Sequence, residues 1–118
     1  MTEQPRRVLC ALDDIPDGNS KGFPPAQGAF TGLFAVRRGR QVWVYVNSCP
    51  HIGVPLDAVP DRFLDAKKQN VLCATHGARF RVEDGFCTSG PCYGEYLEEI
   101  RAHVDEQDRV MVPEDAGL

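Results

Sequence analysis

Short runs of alternating apolar and polar residues, separated by turns rich in glycine and proline, cover most of this chain. No stretch keeps the 3.6-residue period of a long amphipathic helix, so the pattern predicts a protein built of short strands. The predicted strands cover residues 8–12, 31–37, 41–47, 71–72, 79–82, 99–104 and 110–112.

Four segments of the chain carry more specific predictions. Residues 42–46 are apolar on both faces, which favours a central strand. The arginine-rich segment 37–40 contains a hairpin turn and is predicted to be a solvated tip, with a docking contact as the alternative. Residues 13–25 are rich in proline and glycine and are predicted to form a loop. Residues 99–104 alternate as one half-buried strand, with His103 on the solvent side.

The order of these elements predicts a single all-β, antiparallel domain in two parts. Both chain ends, about residues 1–48 and 93–118, would form a β-sandwich base. A smaller part, about residues 49–92, would be inserted between them. At 118 residues the chain is long enough for one core of ordinary size.

Composition and charge narrow the possible partners. The chain has 17 acidic and 13 basic residues, a net charge of −4, which argues against nucleic acid and favours a basic docking face on a protein. No apolar run is long enough to span a membrane, and the first residues lack the apolar core of a signal peptide. We expect a cytoplasmic protein and a monomer.

Two short motifs carry the candidate chemistry. Cys49-Pro50-His51 and Cys73-Ala74-Thr75-His76-Gly77 each place a thiolate and an imidazole in one tight loop, and residues 52–72 separate them. Two sulfurs and two nitrogens form the ligand set of a [2Fe–2S] centre in which two cysteines hold one iron and two histidines hold the other. A cysteine and a histidine two or three residues apart can reach neighbouring irons from one loop.

Two other interpretations of these motifs are open. A single zinc ion accepts the same four atoms in a tetrahedral site. Zinc frameworks usually pair cysteine with cysteine and histidine with histidine, whereas each couple here is mixed. The four residues could also be ordinary buried cysteines and solvated histidines, although their order leaves that interpretation little room.

The sequence after the second motif resembles a known family. Residues 78–80 are followed by Asp84-Gly85 and then by Gly90-Pro91-Cys92. This succession is similar to the Rieske [2Fe–2S] family, in which a hairpin and a Gly-Pro loop that covers the cluster follow the second ligand loop. The resemblance extends from about residue 8 to about residue 112, and it implies that the inserted part holds one cluster per chain. The ligands that it implies are Cys49, Cys73, His51 and His76.

Departures from the respiratory branch of the family indicate which branch the chain resembles. Respiratory and photosynthetic members carry a disulfide between the ligand loops, but Val54 and Thr75 occupy the matching positions here. Those members also place hydroxyl donors near the cluster sulfurs, where this chain has Ala78 and Phe80. The chain therefore resembles the soluble, low-potential Rieske ferredoxins that serve oxygenases.

The resemblance implies a one-electron carrier with no catalytic site of its own. The chain has no glycine-rich nucleotide fingerprint and no room for a flavin domain. We therefore expect a flavoprotein reductase that uses NAD(P)H as donor and a ring-hydroxylating or similar oxygenase as acceptor. The alternatives are a structural or regulatory subunit of a larger oxidoreductase, such as a nitrite reductase small subunit, and a zinc-stabilised interaction module.

Three of the five cysteines lie outside the two motifs. Cys10 falls in an apolar run and is predicted to be a buried small hydrophobe. Cys87 and Cys92 lie on either side of the segment Thr88-Ser89-Gly90-Pro91. In a reducing compartment they would be two thiols, but a reversible disulfide or packing against the cluster is also compatible with the sequence.

Overall fold

The computed structural model describes residues 6–24, 32–50, 56–57, 61–74, 77–114 and 116. Within these residues the predicted all-β, antiparallel fold is confirmed: ten short strands form three antiparallel sheets, and the one helical segment is a single 3-10 turn. No helix in this part of the chain is long and apolar enough to cross a membrane. The strands are β1 (Arg6–Ala11), β2 (Ser20–Phe23), β3 (Leu33–Arg38), β4 (Gln41–Val46), β5 (Asn70–Leu72), β6 (Arg79–Arg81), β7 (Cys87–Ser89), β8 (Glu99–Ile100), β9 (His103–Val104) and β10 (Arg109–Pro113), and the 3-10 turn covers Leu12–Asp14.

The central sheet has the strand order β2-β3-β4-β8. β3 and β4 form the predicted hairpin, paired from Leu33 opposite Val46 to Arg38 opposite Gln41. Gly39 lies in the turn with φ of +64°, a backbone conformation that glycine adopts without steric cost. Because β4 pairs with both β3 and β8, the prediction of a central strand for residues 42–46 is confirmed.

Alternate side chains of the central sheet enter two separate cores. Phe34 and Tyr45 face a core shared with the β5-β6-β7 sheet. Leu33 and Val44 face the opposite way, into a core shared with the β1-β10-β9 sheet, where Cys10 is buried as predicted. The molecule therefore has three layers, and the middle sheet is covered on both faces.

A buried hydrogen bond ties the turn after β6 to the central sheet. The hydroxyl of Tyr45 donates to the carbonyl oxygen of Val82 at 2.6 Å. Burial, followed by the nearby carboxylates of which Glu99 contributes most, raises the pKa of Tyr45. The hydroxyl therefore stays protonated at neutral pH and remains a donor.

The predicted turn at residues 66–70 is present and is closed by a single carboxylate. Asp65 accepts hydrogen bonds from the backbone N–H of Gln69 at 3.0 Å and from the side-chain amide of Asn70 at 3.1 Å. Burial alone would raise the pKa of Asp65, but these hydrogen bonds outweigh it and lower the pKa.

The arginines of segment 37–40 are held by other parts of the chain. Arg38 pairs with Glu83, in the turn after β6, at 2.7 Å. Arg40 pairs with Asp108, in the turn before β10. Each exposed pair contributes about 0–1 kcal/mol, so their main effect is to fix the tip rather than to stabilise the fold.

Two of the strand assignments were wrong. Residues 13–25 were expected to be a loop, but Ser20–Phe23 form β2, an edge strand that pairs with β3 over four positions. Residues 99–104 were expected to be one strand, but β8 pairs in the central sheet and β9 in the outer one. The chain changes sheets at residues 101–102, while His103 is exposed as predicted. The division of the chain at about residues 49 and 92 stays a prediction.

Candidate metal centre

Both predicted thiolate ligands lie in the core between the central sheet and the β5-β6-β7 sheet. Cys49 follows β4 and is 1% exposed, and Cys73 follows β5 and is 0% exposed. Strands of two different sheets thus deliver the two sulfurs to one core. The predicted imidazole ligands, His51 and His76, lie outside the described residues.

A side-chain amide braces the first ligand loop. The side-chain oxygen of Asn47 accepts a hydrogen bond from the N–H of Leu56 at 2.8 Å, and its amide nitrogen donates to Asp57 at 3.1 Å. The carbonyl of Leu56 in turn accepts from the N–H of Ala74 at 2.9 Å. The first loop is therefore fixed at its far end and joined to the second.

Two backbone hydrogen bonds join Cys73 to the described residues at the end of the second motif. The N–H of Cys73 donates to the carbonyl of Ala78, and the N–H of Gly77 donates to the carbonyl of Cys73, both at 2.8 Å. Gly77 has φ of +71°, so a residue without a side chain relieves the strain of this turn. These two hydrogen bonds fix the backbone of Cys73.

The Gly-Pro loop packs directly on the second ligand loop. Gly90 has φ of +101°, and a Cβ atom built on it would lie 2.7 Å from the Cα atom of Ala78. Backbone hydrogen bonds from Tyr93 to Gly90 at 3.2 Å and from Glu95 to Cys92 at 2.9 Å hold the loop in shape. This close contact fits the role that the resemblance implies for the Gly-Pro loop, which is to cover the cluster.

Cys87 and Cys92 form a second buried pair of sulfurs in the core that also holds Cys49. Their Sγ atoms are 3.4 Å apart, well beyond the ~2.05 Å of a disulfide bond, so both are thiols in this structure. Burial, followed by contacts with Cys87 and then Cys49, raises the pKa of Cys92 to about 12. Cys87 and Cys92 share one core with Cys49, which spacing along the chain alone cannot show.

Among the described residues of the core that holds Cys49 and Cys73, hydroxyl donors are scarce. Ala78 and Phe80 are both fully buried in this core, and neither carries a hydroxyl. Among the described core residues, Tyr45 carries a hydroxyl, but this hydroxyl donates its hydrogen bond to the carbonyl oxygen of Val82. The described surroundings of the sulfurs are therefore as poor in hydroxyl donors as the sequence predicts.

The chemistry of the described residues fits an iron–sulfur cluster. Two buried thiols in one apolar core would be costly to ionise without a compensating positive charge, and a bound metal supplies that charge. Hydrogen bonds of the Asn47 side chain and of the backbone around Cys73 hold the described residues near both thiols in place. Described residues on either side of each motif are thus held in place, which suits a cluster bound from two sides.

Comparisons with known proteins place the chain in a family. Curated protein sequences give no match. Among solved structures, the ferredoxin of carbazole 1,9a-dioxygenase from Nocardioides aromaticivorans is 25% identical, with 92% of this chain and 96% of that chain covered and a TM-score of 0.71. A chain in the complex of reduced oxygenase and oxidized ferredoxin in carbazole 1,9a-dioxygenase is also 25% identical, with 94% of each chain covered and a TM-score of 0.71.

A third similar structure belongs to a longer chain. It comes from the complex of a carbazole-bound oxygenase variant with ferredoxin, is 19% identical, and has a TM-score of 0.74. The match covers 94% of this chain but 28% of that one, and it shows the fold alone. The model of the Rieske [2Fe–2S] domain matches residues 6–109, and the chain therefore belongs to the Rieske [2Fe–2S] domain family, whose cofactor is a [2Fe–2S] cluster.

Proposed function

We propose that this protein is a soluble, cytoplasmic Rieske ferredoxin that carries single electrons from an NAD(P)H-dependent flavoprotein reductase to an oxygenase. The observation that carries the proposal is the likeness to a dioxygenase ferredoxin over 92% of this chain and 96% of that one. The complex of oxygenase and ferredoxin among the similar structures supports an oxygenase as the acceptor.

The proposed ligands divide between the two irons. Cys49 and Cys73 would hold one iron, and His51 and His76 would hold the other. The bound cluster supplies reversible one-electron chemistry. The chain itself buries both thiols in a core whose described residues supply few hydroxyl donors.

Histidine substitutions test the ligand assignment. His51→Ala and His76→Ala should each remove the cluster, because one iron loses half of its protein ligands. The matched control is His103→Ala, since His103 is the third histidine of the chain and lies exposed on β9. Iron and acid-labile sulfide are measured in each purified protein, together with the visible spectrum, which separates an iron–sulfur protein from a colourless zinc protein.

The outcomes of this experiment are distinct. Loss of iron and sulfide in both ligand variants, with normal content in His103→Ala, supports the assignment. The ligand variants should also unfold more easily, since metal binding contributes to folding free energy. Full occupancy in either ligand variant refutes the assignment of that histidine.

The surface after the Gly-Pro loop suggests how a partner would dock. Tyr93 and Tyr96 are 71% and 58% exposed, and the nearby Glu95, Glu98 and Glu99 are exposed as well. Exposed tyrosines are common contact residues at interfaces, and acidic side chains attract a basic partner face. We expect a transient interface of less than roughly 1,200 Å² that includes the cluster edge at His51 and His76.

Ionic strength tests this mode of docking. Because salt screens exposed charges, the rate of reduction by a matched reductase should fall as salt rises. Replacing Glu98 and Glu99 with glutamine should weaken that dependence. A rate that is the same at low and high salt contradicts electrostatic steering by this surface.

A further inference from the structure

Asn47 uses both ends of its side-chain amide to hold a segment further along the chain. Its oxygen accepts a hydrogen bond from the N–H of Leu56 at 2.8 Å, and its nitrogen donates to the carboxylate of Asp57 at 3.1 Å. An amide carries an acceptor and a donor together, whereas a carboxylate has no donor and would repel Asp57. Position 47 therefore holds the chemical group that both of its neighbours require.

The backbone of Asn47 is fixed before its side chain makes these contacts. Asn47 directly follows β4, and its N–H donates to the carbonyl of Gly32 at 2.9 Å. The N–H of the preceding residue, Val46, donates to the carbonyl of Glu98, also at 2.9 Å. The amide thus extends from the end of the central sheet, and it provides a rigid anchor for residues 56–57.

The hydrogen bonds continue from this anchor to the second motif. Leu56 is fully buried, and its carbonyl accepts from the N–H of Ala74 at 2.9 Å. Ala74 directly follows Cys73, and Asn47 lies two residues before Cys49. One chain of hydrogen bonds therefore joins a residue near the first proposed thiolate ligand to a residue beside the second.

We propose that Asn47 is a positioning residue that couples the two motifs and keeps the ligands of the bound cluster in one geometry in both oxidation states. The inference rests on the proposed ligand roles of Cys49 and Cys73. Reduction changes the metal–ligand bonds, and any rearrangement of the ligands adds to the activation barrier of electron transfer. Hydrogen bonds that support the ligand-bearing backbone limit this rearrangement. Without the amide the two motifs can relax independently of each other.

A reciprocal exchange of two side chains tests the coupling. Asn47→Asp keeps an acceptor for the N–H of Leu56 but places a carboxylate against that of Asp57. The double variant Asn47→Asp/Asp57→Asn exchanges donor and acceptor, so that both hydrogen bonds can form again. Electron paramagnetic resonance of the reduced, cluster-loaded proteins reports the ligand geometry. The g values should shift and the lines should broaden in Asn47→Asp and Asn47→Ala, and the double variant should recover the wild-type spectrum.

Asp105→Ala is the matched control, because it removes a side chain that plays the same kind of role far from the motifs. Asp105 lies in the turn between β9 and β10 and accepts hydrogen bonds from the N–H groups of Gln107 at 3.0 Å and Arg109 at 2.9 Å. This variant should unfold at a lower urea concentration than the wild type and yet give the wild-type resonance spectrum. A loss of stability alone would then not account for the spectra of the Asn47 variants.

Hydrogen exchange followed by mass spectrometry gives a readout that does not depend on the spectrum of the cluster. Asn47→Ala should speed exchange in the peptide that contains Ala74, because the carbonyl of Leu56 that accepts from Ala74 is no longer held. The same peptide should exchange at the wild-type rate in Asp105→Ala. Unchanged exchange at Ala74 in Asn47→Ala overturns the coupling between the motifs.

Iron and sulfide content separates this inference from the proposed function. A wild-type protein without iron and sulfide refutes the proposed function, whereas a loaded Asn47→Ala protein with the wild-type spectrum refutes only the role of Asn47. A double variant whose spectrum stays like that of Asn47→Asp also overturns that role. If the single variants cannot retain the cluster, the iron content of the double variant decides, since recovery supports the pairing of positions 47 and 57 and no recovery overturns it.

Discussion

Adding one methyl group to the Gly-Pro loop should separate the loop from the proposed metal centre. In Gly90→Ala the new Cβ would lie 2.7 Å from the Cα of Ala78 and 3.0 Å from its Cβ. The optimum separation of carbon atoms is ~3.5–4.0 Å, so the loop must move by about 1 Å. Overpacking of this kind costs about 1–3 kcal/mol, and the φ of +101° adds strain of about 1–3 kcal/mol for a residue other than glycine.

Gly94→Ala provides the matched control in the same loop. Gly94 has φ of +89°, but its added Cβ would meet no described atom within 4 Å. Backbone strain alone should therefore lower the unfolding free energy of this variant by about 1–3 kcal/mol. Strain and overpacking together should lower that of Gly90→Ala by about 2–6 kcal/mol. Both free energies of unfolding are obtained from urea titrations followed by circular dichroism, with the visible absorbance of the cluster recorded in parallel.

The loss of stability and the release of the cluster should both differ between the two variants. We expect Gly90→Ala to release the cluster at a lower urea concentration than Gly94→Ala, because only the first displaces the cover from the second ligand loop. Equal losses of stability and equal cluster retention in the two variants would refute the argument from close packing at Ala78.

Three further predictions concern the fold and the cluster environment. Tyr45→Phe should cost about 1–3 kcal/mol of unfolding free energy, because the buried carbonyl of Val82 loses its donor, whereas Tyr93→Phe, at an exposed ring, should change it by less than about 0.5 kcal/mol; equal urea midpoints would contradict this. The pKa of Asp65 is lower in the folded state than in the unfolded chain, so its contribution to stability is present above about pH 3.9 and is lost as pH falls through the folded pKa. Asp65→Asn should therefore weaken the decline in stability below that pH in acid titrations, and an unchanged decline would count against it. The potential should lie near the low end of the Rieske span, on the order of −150 mV rather than +300 mV, and Phe80→Tyr should raise it; a wild-type value above about +100 mV in voltammetry would rule out the ferredoxin-type environment.

The parts of the fold that the sequence predicted are those where local pattern and burial agree. Residues 42–46 are apolar on both faces because both faces are covered. Spacing singled out Cys49 and Cys73, which lie buried in one core, while their ligand role stays a prediction. β2 was missed because it is a half-buried edge strand among glycines and prolines, whose signal resembles that of a loop. The alternation of polar and apolar residues over 99–104 correctly predicted which side chains are more buried. It cannot show which sheet each half of the segment joins.

The contacts that the sequence could not show are non-local. Cys92 and Cys49 are far apart in the sequence and share one core only in the folded chain. The close approach of Gly90 to Ala78 likewise depends on how two loops pack. His51 and His76 lie outside the described residues, so their role stays a prediction.

The pairing of β1 with β10 makes this fold easy to combine with other domains. These strands lie side by side in the outer sheet, with Arg6 opposite Pro113, and the central sheet separates them from Cys49 and Cys73. A tether, an affinity tag or a fused domain attached beyond either strand would join the molecule on the side remote from the thiols. The same topology can therefore serve as a diffusing carrier or as one module of a longer polypeptide, without a change in how it presents its redox centre.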